Sequence, residues 1–335
     1  MDILLDFALK VVTQFQSPTL AFLLGGVALA AFGSRLQIPD AVYQFIVFML
    51  LLRIGLKGGI EIRDAELAEM ALPALAAVLL GFGTVGLGLL TLARLPGINK
   101  EDALATAGLF GAVSASTLAA AMVLLDEAGI SYEAWVPALY PFMDIPALVL
   151  AIVLAARHRA RRTGEALERV AIWPIVKESL QGAALSALLL GLALGLLTRP
   201  ERVFDSFYDP LFRGFLSVLM LIMGIEAWQR LAELRRVAHW YAVYAAMAPL
   251  VHGLAGFGLG YLAHLATGFS PGGVILLAVI AASSSDISGP PTLRAGIPGA
   301  NPSAYIGAST SVGTPVAIAI GMPLFIALGQ LVFGV

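Results

Sequence analysis

The sequence predicts an all-helical polytopic membrane protein, with about ten transmembrane helices in two inverted five-helix repeats. Three observations carry that prediction. The composition is far more apolar than that of a soluble domain: 59% of residues are hydrophobic, 13% are charged and the mean hydropathy is +0.90, whereas soluble chains are about one-quarter charged. Apolar runs approaching the ~20 residues that cross a bilayer recur along the 335 residues. The chain also matches itself at an offset near 170 residues, the kind of weak internal symmetry that marks transporter folds.

In chain order the apolar segments fall at 11–33, 40–57, 70–93, 103–125, 136–156, 178–197, 211–228, 239–265, 273–297 and 303–333. Ahead of them, residues 1–12 carry Asp2 and Asp6 before Lys10. That is unlike the basic leader of a secretory signal, so no cleaved segment is expected. Arg53 and Lys57, a turn apart near the end of the second segment, are expected to snorkel to the headgroups. Gly81, Gly83, Gly86 and Gly88 in the third are expected to permit close helix packing. The fourth is interrupted by Gly108, Gly111 and Val113-Ser-Ala-Ser-Thr117, and the fifth by Asp144 two residues before Pro146.

The connection 157–177 separates a first repeat, 1–156, from a second, 178–335. It holds Arg157, Arg159, Arg161, Arg162, Arg169 and Lys177, which places it in the cytoplasm under the positive-inside rule and turns both termini outward. Thirteen of the 20 Lys and Arg residues then face inward. The seventh segment ends on Glu226 and Arg230, spaced as an i,i+4 pair. His252 and His264 share the eighth segment but lie twelve apart with no ligand spacing, so interior or interface packing is expected of them rather than metal binding.

The ninth segment organises the chain. It is apolar from Val274 to Ala282 and then reads Ser283-Ser-Ser-Asp-Ile-Ser-Gly-Pro-Pro291. Two successive prolines lack the amide hydrogen that a helix interior uses, so the helix must open there. Irregular backbone at membrane depth is tolerated only where protein buries it or where it lines a wet cavity, and an Asp at that depth needs a partner.

The internal matches fall close to one offset. Leu50-Leu-Leu-Arg-Ile-Gly-Leu56 lies over Leu219-Met-Leu-Ile-Met-Gly-Ile225, and Pro146–Ile152 lies over Pro315–Gly321, both at 169. Gly111-Ala-Val-Ser-Ala-Ser-Thr117 lies over Ala282-Ser-Ser-Ser-Asp-Ile-Ser288 at 171. Five spans per repeat is an odd number, so the second repeat enters from the opposite side. The fourth helix of each is then broken, and the two breaks are expected to cross near the midplane.

A broken helix gives its second half free N–H groups and a positive dipole end, suited to a small oxyanion. One such end is expected near Ser116 or Thr117, the other at Ser288 or Gly289 with Pro290 at the first helical position. Hydroxyls of Ser114, Ser116, Thr117, Ser285 and Ser288 can donate to an anion or turn lone pairs to a bare cation, and hydroxyls alone do not separate the two. Asp286 favours a sodium ion beside the anion, since hard cations take carboxylate, hydroxyl and carbonyl oxygens. Asp144 is the second candidate for charge or for locking the opposing wall, or else a cap on Tyr140-Pro-Phe-Met-Asp144. Packing or back-bonding to the preceding turn accounts for part of the hydroxyls at 114–117. It does not account for five polar residues among the six positions 283–288 followed by Gly-Pro-Pro.

Zero cysteines exclude disulfides, thiolate metal sites and cysteine nucleophiles. A net charge of −2 gives no case for nucleic acid. An intramembrane hydrolase needs a nucleophile beside a base, but no Ser-Lys pair sits at membrane depth and His252 lies in another helix. No enzymatic activity and no cofactor beyond the coupling ion are expected.

The chain closely resembles the cyanobacterial sodium-dependent bicarbonate transporters (SbtA-like) over nearly its full length. The strings that carry the resemblance are Gln16-Ser-Pro-Thr-Leu-Ala-Phe22, Asp102-Ala-Leu-Ala-Thr106, Gly108-Leu-Phe-Gly-Ala-Val-Ser114, Ser131-Tyr-Glu-Ala-Trp135, Ala138–Ala147, Phe207–Gly214 and Ala278–Gly307. The resemblance implies uptake of bicarbonate with sodium, a core domain moving elevator-like against a gate domain, a homotrimer in the plasma (inner) membrane, and a PII-like regulator on the cytoplasmic face. Under it, bicarbonate is expected among Gly111, Ala112, Val113, Ser114, Ala115, Ser116, Ser284, Ser285, Ile287, Ser288 and Gly289. Sodium is expected among Asp286, Ser288, Ser116, Thr117 and Asp144. Two departures stand out: 157–177 is short and basic where the family has a longer polar insertion, and Ala115 replaces a common Gly. A symporter of another small organic anion is the alternative. Neither break holds an Arg or Lys to clamp a carboxylate, which favours the smaller substrate.

Overall fold

A computed structural model of the protein describes residues 17–63, 67–163, 171–234 and 239–335. The first twelve residues, part of the first apolar segment, residues 164–170 of the basic connection and the side chain of Arg230 lie outside the described residues. Everything regular among the described residues is helical.

The helices are α1 (Pro18–Ala31), α2 (Asp40–Ile62), α3 (Leu67–Leu90), α4 (Lys100–Gly111), α5 (Ala115–Glu127), α6 (Tyr140–Thr163) and α7 (Ile172–Gln181). They continue as α8 (Ala183–Leu197), α9 (Asp209–Leu234), α10 (His239–Thr267), α11 (Pro271–Ala282), α12 (Gly289–Gly296), α13 (Pro302–Ala308) and α14 (Met322–Phe333). Among the described residues six helical stretches are long and apolar enough to cross a membrane, or seven if α7 and α8, bent by 72° at Gly182, form one span. The protein is a multi-pass membrane protein. α1 and α11 are shorter apolar helices of 14 and 12 residues.

Local chemistry sets these boundaries. Ser17 caps α1 by accepting from the Leu20 amide at 3.3 Å, with Pro18 at the first position, and Gly33 leaves the helix at φ +79°. Asn99 caps α4 by accepting from the Glu101 amide at 3.0 Å. Ser270 caps α11 through the Gly273 amide at 2.9 Å.

Two glycine seams join the first and second halves of the chain. On one, Gly55 and Gly59 of α2 lie against Gly191 and Gly195 of α8; a Cβ on Gly59 would stand 2.8 Å from the Gly195 Cα. On the other, Gly26 of α1 lies against Gly224 of α9, and a Cβ on Gly26 would stand 3.1 Å from the Gly224 Cα. Backbones come this close only where neither residue carries a side chain. Of the four glycines singled out in α3, Gly81 faces Met143 and Gly88 faces Ala107, whereas Gly83 and Gly86 meet nothing. The first pair mediates packing and the second does not.

Inside the rest of the molecule, α4, α5 and α11 are enclosed. The apolar stretch of Lys100–Glu127 is buried throughout its length, as is every residue of α11 from Gly272 to Ala282.

Two expectations are corrected. The segment around Asp144 is not interrupted, because α6 runs unbroken through Pro146. A single proline removes one donor, which neighbouring helices and a slight bend absorb, whereas Pro290-Pro291 behind a serine run does not allow it. Arg53 does not snorkel. α2 continues past Lys57 to Ile62, which leaves Arg53 in mid-helix and 5% exposed. Its guanidinium pairs with Asp209 and stacks on Phe212, 4.1 Å from the ring centre, with Phe204 at 5.5 Å.

Candidate functional site

Two interrupted helices meet in the interior. The first gap, Ala112–Ser114, turns the chain through extended backbone between α4 and α5, with ψ 153° at Ala112 and 120° at Ser114. The second gap, Ser283–Ser288, lies between α11 and α12. Each gap satisfies the other's backbone: the Ser114 amide donates to Ser283 Oγ at 3.0 Å, and the Ser285 amide donates to the Leu109 carbonyl at 3.1 Å. Unpaired amides at this depth cost several kcal/mol each, roughly, so the gaps persist because they are paired.

One line of hydroxyls ends on Asp286. Ser116 Oγ donates to Asp286 Oδ2 at 2.9 Å. With its proton so committed, Ser116 Oγ must accept from Ser114 Oγ, 2.9 Å away. Ser114 Oγ in turn accepts from the Thr117 amide at 3.2 Å and from Thr117 Oγ1 at 3.0 Å. A second donor to Asp286 Oδ2 is the Tyr43 hydroxyl of α2, at 3.0 Å.

Another hydroxyl line belongs to the second gap. Ser285 Oγ accepts from the Gly289 amide at 2.8 Å and lies 3.1 Å from Ser288 Oγ, which is 3.2 Å from the Tyr140 hydroxyl. Ser284 Oγ turns away, to Ser309 Oγ at 2.7 Å and Thr314 Oγ1 at 3.4 Å.

The two helix starts are not equivalent. Ser288, one of the two expected caps, is the cap of α12, and the helix begins at Gly289, one residue before the expected start at Pro290. The Gly289 amide is already taken by Ser285 Oγ, and Pro290 and Pro291 have none to give. At α5 the cap is Ser114 and the helix begins at Ala115, so the first-turn amides of Ala115 and Ser116 have no carbonyl of their own helix to bond. Of the two helix starts, α5 is therefore the one whose first turn keeps amides for an anion.

The remaining expected site residues fall into three groups. Gly111 is pressed between helices, where a Cβ would stand 2.6 Å from Thr84 Oγ1 and 2.7 Å from Ala147 Cβ; Ala112, Val113 and Ala115 are buried apolar positions that offer backbone only. Ile287 is partly exposed and, with Ser288, Pro291 and Thr292, lines a cleft of about 530 Å³ whose other wall includes Gln44 and Lys177. Asp144, fully buried, accepts from the Val113 amide through Oδ1 at 2.9 Å. It braces the first gap from α6 instead of capping its own helix or joining Asp286, while its Oδ2 is buried with no hydrogen-bond partner among the described residues.

Beside Asp286 lies a small space of about 10 Å³, lined also by Tyr43, Glu226, Thr310 and Thr314. One water-sized probe needs about that much. The space suits a water or a small bare cation among carboxylate and hydroxyl oxygens and is too small for bicarbonate.

Sequence reasoning missed Tyr43, Tyr140, Ser309, Thr310 and Thr314. The last three had a signal: Ser309-Thr-Ser-Val-Gly-Thr314 sets four hydroxyls among six positions of an apolar segment. That stretch winds as a π-helix over Ser309–Gly313, with another over Ala317–Gly321, a form concentrated at functional sites.

A multi-pass helical protein whose two interrupted helices meet at a buried hydroxyl cluster around one carboxylate has the build of a membrane transporter for ions or small polar solutes. The matching family agrees: residues 18–330 fit the Na+-dependent bicarbonate transporter superfamily, and the chain belongs to it. No curated protein matches the chain significantly.

Proposed function

We propose that the protein is a secondary symporter that takes up bicarbonate together with sodium by alternating access. The observation that carries this reading is the convergence on Asp286: a carboxylate at the second gap accepts a hydrogen bond from the Ser116 hydroxyl at the first, next to a helix start with first-turn amides to spare. Bicarbonate would sit against the Ala115 and Ser116 amides with Ser114, Ser285 and Ser288 in reach. Sodium would sit at Asp286 with Ser116, Thr310 and Thr314. A negative carboxylate beside an anion repels it until a cation neutralises it, which gives the two substrates a reason to bind together.

The fold reading is ten helices in two inverted repeats. Its support is the crossed pairing of the glycine seams: α1 packs on α9 and α2 on α8, and Gly26 and Gly55 correspond to Gly191 and Gly224 at offsets of 165 and 169. On this reading α1, α2, α8 and α9 form the gate, and the remaining helices form a core that carries the gaps past it. We further propose a homotrimer in the inner membrane and a PII-like cytoplasmic partner, as the family resemblance implies, and both termini outward, as the basic residues of the loops imply. The short basic 157–177 connection weakens the case for that partner.

Uptake of labelled bicarbonate into proteoliposomes, with and without an inward sodium gradient and with competing formate, nitrate and small carboxylates, tests the proposal. Sodium-driven bicarbonate accumulation resistant to carboxylates is expected. Accumulation of a carboxylate in its place would transfer the site to an organic anion, and accumulation indifferent to sodium would remove the symport.

A further inference from the structure

We infer that Tyr43 is a sodium-sensitive latch: its hydroxyl holds Asp286 to the α1/α2/α8/α9 bundle while the cation is absent, and sodium displaces it. The inference rests on the sodium-coupled reading above and deepens it. The Tyr43 hydroxyl comes from the fourth residue of α2, a helix otherwise seamed to α8, and donates to Asp286 Oδ2 across the junction between the bundle and the interrupted helices.

Asp286 Oδ2 already accepts two hydrogen bonds, from Ser116 and from Tyr43. A cation drawn to the adjoining space, which holds no more than one water-sized sphere, meets those O–H dipoles positive end first. One donor has to yield. Ser116 is 1% exposed and held from behind by Ser114, so it is locked. Tyr43 is partly exposed, near the end of its helix and on the other side of the junction, so it is the one that leaves. Two consequences follow together: the carboxylate gains its cation, and the interrupted helices lose a tether to the bundle.

This arrangement predicts an effect that a merely structural tyrosine does not give. Removing the hydroxyl destabilises the sodium-free form alone, so Tyr43→Phe should bind sodium more tightly than the natural protein. A hydrogen bond to a charged group is worth about tenfold or more in an equilibrium constant, and roughly three- to tenfold at a partly exposed site. A tyrosine that ligates sodium would give the opposite sign.

The test uses full-length protein in nanodiscs, titrated with sodium at constant ionic strength against choline, with the midpoint read from the shift in unfolding temperature. A midpoint for Tyr43→Phe three- to tenfold below that of the natural protein is expected; an unchanged or higher midpoint overturns the latch. A second readout keeps the natural tyrosine: a disulfide pair at Leu23→Cys and Ile318→Cys, which line the same space from opposite sides of the junction, should cross-link faster in choline than in sodium. Equal rates, or faster cross-linking in sodium, also overturn it. If the natural protein shows no sodium-dependent shift at all, the sodium-coupled reading itself has failed and the latch falls with it.

Discussion

Asp144 holds the amide of Val113, 31 residues earlier in the chain, at 2.9 Å, and through that one bond a helix that does not break sets the shape of one that does. The first gap has only three residues in which to turn, and its middle amide has no carbonyl within its own helix. The carboxylate supplies the missing acceptor from outside.

Asp144→Asn keeps an oxygen for that amide and should fold and transport at a reduced rate. Asp144→Ala strands a buried N–H, which costs about 1–3 kcal/mol, and should lower both yield and unfolding temperature. Thermal unfolding and uptake measured on the two variants side by side check this. Equal behaviour of Asn and Ala would mean that the Val113 bond does not matter.

Asp286→Asn should abolish the dependence of bicarbonate binding on sodium. In the natural protein each ligand should raise the other's affinity by the same factor, about 5- to 150-fold in the usual range for linked sites. Equilibrium binding of labelled bicarbonate across a sodium series gives the factor directly. A variant that couples as strongly as the parent would take Asp286 out of the sodium site.

Asp209→Ala leaves the buried Arg53 guanidinium without its partner. Breaking a buried pair costs roughly 3–5 kcal/mol, and the half-exposed position of Asp209 reduces this to about 1–3 kcal/mol. Arg53→Met, which removes the buried charge and keeps an apolar chain against Phe212, should be the milder change. Comparison of unfolding temperatures decides, and the reverse order would contradict it.

Gly59→Ala and Gly191→Ala should each disrupt folding, since the added methyl meets the backbone of the facing helix, while Gly83→Ala should be neutral or slightly favourable for its helix. Monodispersity and yield of the detergent-extracted protein distinguish the two groups.

For orientation, cysteines placed at Thr163 and Ser131, both exposed, should respond oppositely to an impermeant thiol reagent added to intact cells. Labelling at 131 and protection at 163 is expected from the distribution of basic residues. The reverse pattern would invert the topology.

What the sequence made legible is concentrated where chemistry is local. Pro290-Pro291 behind Ser283–Ser288 opens a helix whatever surrounds it, and the gap lies there. The family resemblance, resting on long strings, became membership over residues 18–330. Illegible were the features fixed by a partner far along the chain. Nothing in Asp40-Ala-Val-Tyr43 hints that the tyrosine reaches residue 286. Arg53 read as a headgroup anchor because Lys57 looked like a helix end, and only the position of Asp209, 156 residues on, keeps it inside. Gly83 and Gly86 look no different in sequence from Gly81 and Gly88, since what separates them is which neighbour each one faces. Part of the inequality of the two helix starts is local, because two prolines have no amides to offer; the rest depends on the Gly289 amide bonding to Ser285 Oγ.

The crossed seams also constrain how the protein is made. The glycine faces of α1 and α2 are covered by α9 and α8, so a nascent chain that has reached Thr163 has made both faces before either of the helices that cover them. Gly26 waits nearly two hundred residues of synthesis for Gly224. Neither seam can close until the second half of the chain has been made.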